Sequence, residues 1–215
     1  MLVVACSGFP IAASRYFHEF DAVEIADSEI GIPGTGTLRR WQKEAPEGFL
    51  FSVLAPSVVG ASGFAETGEV DQALKQIVSF AKKLGAVAVV FRVPEEVVLN
   101  RTVAARVKKV LGGLKSPRPI LEAPSWPNAQ VDKILAGTSA IAAHDPLTLP
   151  EAPSGKFAYL TLPGPAGHRS RYDDESLEKV AALCRRSTAE TTIVVLRNID
   201  MEANAKTLRQ QLAKK

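Results

Sequence analysis

Two carboxylates stand where an apolar chain has little use for charge. Glu24 lies inside the run AVEIA (22–26), and Glu122 nearly closes the run PILEA (119–123), directly ahead of a rigid Pro-Ser-Trp-Pro elbow. Buried without a partner, such a carboxylate is costly, so each must meet a cation, a hydrogen-bond donor or a substrate. A positioned glutamate is also a common general acid or base, which makes Glu24 and Glu122 the catalytic candidates. Arg92 follows the run AVAVVF (86–91) and is the candidate partner of Glu122 or a ligand for an anion. Trp126 is placed to stack on a ligand ring or to pack over neighbouring backbone. The segment PGPAGHRSRY (163–172) carries His168, Arg169 and Arg171, and Arg197 with Asn198 follows the run TTIVVL (191–196). Guanidinium groups bind phosphate bidentately, and a helix starting near Asp200 offers free backbone N–H groups, so these residues are the ligand-binding candidates for a small anion. With no apolar neighbour to anchor its charges, the 163–172 loop is expected to be mobile.

Other candidates carry less. His144-Asp145 would supply two metal ligands, but three histidines in the whole chain and no spaced pair assign no metal site. GIPGTGT (31–37) has the G-x-x-x-x-G spacing of a phosphate loop, with Thr37 where the lysine belongs. It reads as a Gly/Pro turn. No cofactor motif is found, and no cofactor is expected.

What positions these residues is a repeating alternation. Apolar runs occur at 2–7, 22–26, 49–55, 86–91, 119–123, 139–144, 157–162 and 191–196, and segments of helical period at 69–84, 99–114, 173–187 and 201–213. Asp200 and Ser125 are the expected N-caps of the helices that follow them. Runs that are apolar throughout are buried on both faces, as in a parallel sheet covered by helices. Eight of them in 215 residues predict a single domain, 1–215, folded as a (β/α)₈ TIM-type barrel, near the lower limit of about 200 residues for that fold. An open doubly wound sheet would need fewer strands and lacks a G-x-G-x-x-G after its first strand. In a barrel the chemistry sits at the C-terminal ends of the strands. Ser7, Asp27, Arg92, Glu122, His144 with Asp145, the 163–172 loop, Arg197 and Asn198 fall there.

Composition limits the partners. Lys and Arg total 26 against 23 Asp and Glu, and the basic residues are scattered, so nucleic acid is not indicated, although a local positive patch is not excluded by so mild a balance. Cys6 and Cys184 match no zinc or redox spacing, which fits two reduced thiols in a cytoplasmic protein. The opening MLVVACSGFPIAAS imitates a signal peptide, yet it has no charged start and too few residues before Cys6, and it is read as a strand. No stretch reaches the ~18 apolar residues of a membrane span, so no membrane partner is expected.

In order along nearly the whole chain, RYFHEFDAVEIADSEIGIP, TLRRWQKEAPEGFLFSVLAP, LGAVAVVFRVPEEV, LEAPSW and LRNIDMEANAKTL resemble the YecE-like family, also called domain of unknown function 72. The shared landmarks are Tyr16, Phe20, Val23-Glu24, Trp41, Phe49, Phe51, Pro94, Glu122, Ser125-Trp126, Tyr172 and Asn198. The resemblance implies a TIM-type barrel of unestablished activity. There are departures: Ala26-Asp27-Ser28-Glu29-Ile30 replaces Asn-Ser-Thr-Phe-Tyr, Leu54 stands for Lys and Arg92 for Gln, the Arg between Glu and Ser-Trp is missing, and Thr161 and Pro163 stand for Arg and His.

Two functional readings follow. In one, the protein is an enzyme acting on a small anionic or phosphorylated substrate, with Arg169, Arg171 and Arg197 on the anion and Glu122 or Glu24 as acid or base. In the other, it is a catalytically degenerate binding or scaffold protein whose barrel mouth is filled by ion pairs. Loss of the family's Lys, Arg and His favours the second; retention of both glutamates favours the first.

Overall fold

A computed structural model of the chain describes residues 1–214. Eight strands are interleaved with eight helices, two between β3 and β4 and none between β6 and β7: β1 (Leu2–Ser7), α1 (Ala13–Glu19), β2 (Ala22–Ile25), α2 (Thr35–Glu44), β3 (Leu50–Leu54), α3 (Ser57–Ala61), α4 (Gly68–Leu84), β4 (Ala88–Arg92), α5 (Arg101–Gly113), β5 (Arg118–Glu122), α6 (Asn128–Leu135), β6 (Ile141–His144), β7 (Phe157–Leu162), α7 (Asp174–Arg185), β8 (Thr191–Leu196) and α8 (Met201–Ala213). The strands follow one another in sequence order and close into a barrel, as their number and apolar character predict. Every apolar run of the sequence became a strand. The four predicted helices are α4, α5, α7 and α8, within about two residues at each end.

By contact density the chain forms two compact units. One holds 1–24, 45–49 and the residues from 144 on; the other holds 25–44 and 50–143. In the first, β1 lies between β2 and β8 in parallel register, with Ser7 opposite Glu24 and Leu2 opposite Thr192, and β8 pairs on its other side with β7. Tyr16 ties α1 to this sheet: its hydroxyl donates to the Ala22 carbonyl at 2.8 Å and accepts from the Cys6 amide at 2.8 Å, and its ring stacks on Phe20. Burial pushes the thiols of Cys6 and Cys184 up to about 12, so neither is a thiolate nucleophile at neutral pH. In the second unit β3, β4, β5 and β6 pair in turn, and Arg92 stands opposite Glu122. The core strands β3, β4 and β5 are buried almost end to end, which is why their sequences are apolar rather than alternating.

Helix ends follow local chemistry. Thr67, Asn100 and Asp173 cap α4, α5 and α7 by accepting from the amides of Val70, Val103 and Ser176, and Gly85 takes the left-handed conformation that closes α4. Of the two caps expected from the sequence, Asp200 holds its position and Ser125 does not. Asp200 occupies the N-cap position of α8 without capping, because its carboxylate is drawn to Arg171. Ser125 is exposed in the turn before α6, and Pro127, with φ already preset near the helical value, takes the cap position instead. Another departure is α2, where the Gly/Pro/Thr stretch enters a helix that buries Leu38 and Trp41.

Candidate functional site

The chemistry-bearing residues gather at the C-terminal ends of the strands, in two clusters, one in each unit. In the first, Glu24 ends the β1–β2 register and Arg197 follows β8, which places them on either side of β1. Arg197 grips Glu24 as a fork: Nε donates to Oε1 at 2.8 Å and Nη2 to Oε2 at 2.7 Å. Tyr159 of β7 donates its hydroxyl to Oε2 at 2.8 Å, and the Ser7 hydroxyl gives a further hydrogen bond. Glu24 is 0% exposed and Arg197 is 8% exposed. Burial on its own pushes the Glu24 carboxyl up, but the charge and hydrogen bonds of Arg197, with those of Ser7 and Tyr159, outweigh it and hold the group below the ordinary carboxylate range. The result is a carboxylate held ionised at neutral pH, with both oxygens engaged.

The 163–172 loop does not behave as its composition suggests. Its apolar neighbours are indeed few, yet backbone and hydroxyl groups fasten it. The Ile199 amide donates to the His168 carbonyl at 2.6 Å, and His168 Nδ1 lies 2.5 Å from the Arg197 carbonyl. Asn198 Nδ2 donates to the Ser170 carbonyl and to Asn204 Oδ1, while Tyr172 Oη accepts from the Gly164 amide at 2.8 Å. Gly164, at φ 109°, leaves no room for a side chain, since a Cβ there would fall 2.1 Å from the Gly167 carbonyl oxygen. Polar groups thus supply contacts where apolar ones are few. Arg171 pairs with Asp200, Arg169 is exposed, and Asn198 is buried as part of the anchor.

In the second unit Arg92 ends β4 and Glu122 ends β5. Arg92 Nε lies 3.5 Å from Glu122 Oε2, as their strand positions predict, and Nη1 also reaches both oxygens of Glu29 at 3.3 Å. This pair is not sealed from water, because the Arg92 side chain is 44% exposed. Behind it α3 presses on the strand end so closely that a Cβ on Gly60 would meet the Arg92 carbonyl oxygen at 1.7 Å. Trp126 is 4% exposed, and its indole N–H donates to the Val97 carbonyl at 2.8 Å. It packs over backbone, with its ring closed off from a ligand.

His144 ends β6, and Asp145 beside it accepts from the Leu147 amide while burial raises its carboxyl. Among the described residues no group of three or more His, Cys, Asp or Glu is placed to hold a metal ion. Nor is any of their helices long and apolar enough to cross a membrane. Two members of the clusters were not foreseen. Tyr159 had a signal, a hydroxyl inside the apolar run FAYLTL that needs a partner. Glu29 had none beyond its place in the loop after β2.

Comparison with solved structures matches this architecture over entire chains. A DUF72 family protein from Enterococcus faecalis V583 superposes with a TM-score of 0.81 at 14% identity, covering 100% of this chain and 96% of that one. A DUF72 family protein from Thermotoga maritima MSB8 gives 0.74 at 17%, covering 100% of both. A D-tagatose 3-epimerase-like protein gives 0.62 at 13%, covering 98% of this chain and 97% of the other. At such identities the likeness establishes the fold alone. Comparison with curated proteins finds no match. The landmarks built into both clusters, from Glu24 to Glu122 and Asn198, lie within residues 13–215, which match the model of the protein family of unknown function DUF72, and the chain belongs to that family.

Proposed function

We propose that this chain acts as a binding or scaffold barrel in which the strand-end charges that could do chemistry are committed to internal ion pairs. The carrying observation is the environment of Glu24. An ionised carboxylate has about four lone-pair sites; Arg197 (twice) and Tyr159 supply three hydrogen bonds, and the Ser7 hydroxyl beside them adds to holding the charge. A general acid needs a proton to give, and a general base needs a lone pair facing the substrate. Glu24 offers neither. Of the cations expected to hold an anion, Arg197 is buried against Glu24, Arg171 pairs with Asp200 and Arg92 with Glu29 and Glu122 in more open positions, and Arg169 is exposed.

The test is calorimetric titration of inorganic phosphate and simple sugar phosphates into the wild type and an Arg169→Ala, Arg171→Ala double variant, with mass spectrometry of small molecules carried through purification. The scaffold reading expects no phosphate binding by either protein. Binding by the wild type that the double variant loses would overturn it.

A second reading is supported by the Arg92–Glu122 pair. Its longer contact and half-exposed guanidinium make it more open to exchange than the Glu24–Arg197 fork, and it lies where barrel enzymes place their chemistry. Here Glu122 is the general acid or base of an enzyme acting on a small anionic or phosphorylated substrate. Turnover of such a substrate, abolished in a folded Glu122→Gln variant, would favour this reading over the first.

A further inference from the structure

The opposite ends of the strands in the second unit carry a feature that neither reading uses. There α2 ends at Glu44 ahead of β3, α4 ends at Leu84 ahead of β4, and α5 ends at Gly113 ahead of β5. Within this unit the ends of the helices and the starts of the strands that follow them are neighbours. The Val87 amide donates to the Phe51 carbonyl at 2.8 Å, the Arg118 amide donates to the Val87 carbonyl at 3.0 Å, and Gln42 of α2 donates to the Lys83 carbonyl of α4 at 2.6 Å. Scattered in sequence, Arg39, Arg40 and Lys43 of α2, Lys82 and Lys83 of α4, and Lys115 after α5 are thereby brought to one edge, and all six are exposed. None has a carboxylate within ion-pair distance among the described residues. The acids nearest in sequence are Glu44 and Glu47. Cations favour helix C-termini, and the dipoles of α2 and α4 account for a lysine at each. They do not account for a row of six against so few acids.

We infer that this basic edge binds the phosphate backbone of nucleic acid without reading its sequence. The choice among anionic partners rests on what the row lacks. Protein interfaces and membrane-surface helices use apolar or aromatic anchors, and the exposed large hydrophobic side chains of the chain include none at these positions. Backbone phosphates are held by cations alone, and arginines such as Arg39 and Arg40 suit their geometry. No residue at the edge is an aromatic platform for bases, so binding is electrostatic and steeply dependent on salt.

The test is fluorescence anisotropy of a labelled 20-nucleotide single strand with the full chain. With about four phosphate contacts and a slope of about −0.7 per contact, affinity falls about 50-fold between 50 and 200 mM salt. A Lys82→Gln, Lys83→Gln variant weakens binding at least tenfold at 50 mM salt and roughly halves the slope. An Arg39→Gln, Arg40→Gln variant does the same, and a Lys179→Gln, Arg186→Gln variant, with equal charge loss on α7 and at its C-cap, leaves affinity within about twofold. Melting curves establish that each variant is folded. No binding at 50 mM salt, equal binding by the edge variants, or equally tight binding of polyglutamate or of phosphatidylglycerol vesicles would overturn the inference.

Discussion

Replacing Glu24 by Gln keeps the shape of the side chain and removes its charge. One arginine N–H then faces the amide carbonyl, but the other faces an amide NH₂, a donor against a donor. The Arg197 guanidinium is left in a site that is 8% exposed, without the carboxylate fork at 2.7–2.8 Å that compensates it. Removing one partner of a buried, hydrogen-bonded ion pair costs about 3–5 kcal/mol. A chain of this size loses about 2–4 °C of Tm per kcal/mol, so the variant should melt about 6–20 °C lower at pH 7. A Glu24→Leu, Arg197→Met double variant should recover much of that loss, since an apolar pair of similar volume leaves no charge stranded. Calorimetry or circular dichroism at matched concentration reads both. The pH profile adds a sign. Because Glu24 is held below its usual value of 4.5 in the fold, its contribution is complete above that value and drains away as pH falls through the lowered one. The wild type should therefore lose stability in acid more steeply than Glu24→Gln. A single variant melting within about 3 °C of the wild type, which is about 1 kcal/mol, would refute the claim that this pair is a buried keystone of the first unit.

Glu122→Ala should cost far less, about 1 kcal/mol or below, because Arg92 is half-exposed and also held by Glu29; urea unfolding at pH 7 checks it, and a loss like that of Glu24→Gln would contradict the contrast. Gly60→Ala should lower stability by about 1–3 kcal/mol as its Cβ forces α3 off the Arg92 carbonyl, measured by the same unfolding curve. Asp145→Asn should raise the Tm modestly at pH 7 and not in acid: a carboxyl whose value is raised by burial weakens the fold once pH climbs past its unfolded value, and the amide can still accept from Leu147. Melts at pH 3.5 and pH 7 distinguish this from a pH-independent effect.

The barrel was legible because its strands are sealed on both sides. FAYLTL and TTIVVL have no polar face to confuse their reading, and their ends in the fold are the ends of the runs. Partnership was harder to read. Arg92 and Glu122 end consecutive strands, so their approach could be argued from order alone. Arg197 is 173 positions from Glu24, and only the insertion of β1 between β2 and β8 makes them neighbours. At the 163–172 loop composition shows only the lack of apolar contacts; the amide of Ile199, the carbonyl of Arg197 and the side chain of Asn198 that meet it leave no mark on hydropathy. The same holds for the basic edge, where residues 39–43, 82–83 and 115 look dispersed until the ends of α2 and α4 and the starts of β3, β4 and β5 come together.

The pairing of β1 with β8 has a consequence for synthesis. The backbone bond from Met1 to the Glu190 carbonyl joins positions 189 apart, and at about 5–20 residues per second the ribosome needs roughly 10–40 s to deliver the second after the first. Throughout that interval β1 has a parallel edge with unpaired amide and carbonyl groups, open to any strand that arrives sooner. Pairing with β2 satisfies only the other edge of β1, so the edge that faces β8 stays open until the last strand emerges, and a product terminated before Thr191 would keep it exposed for good.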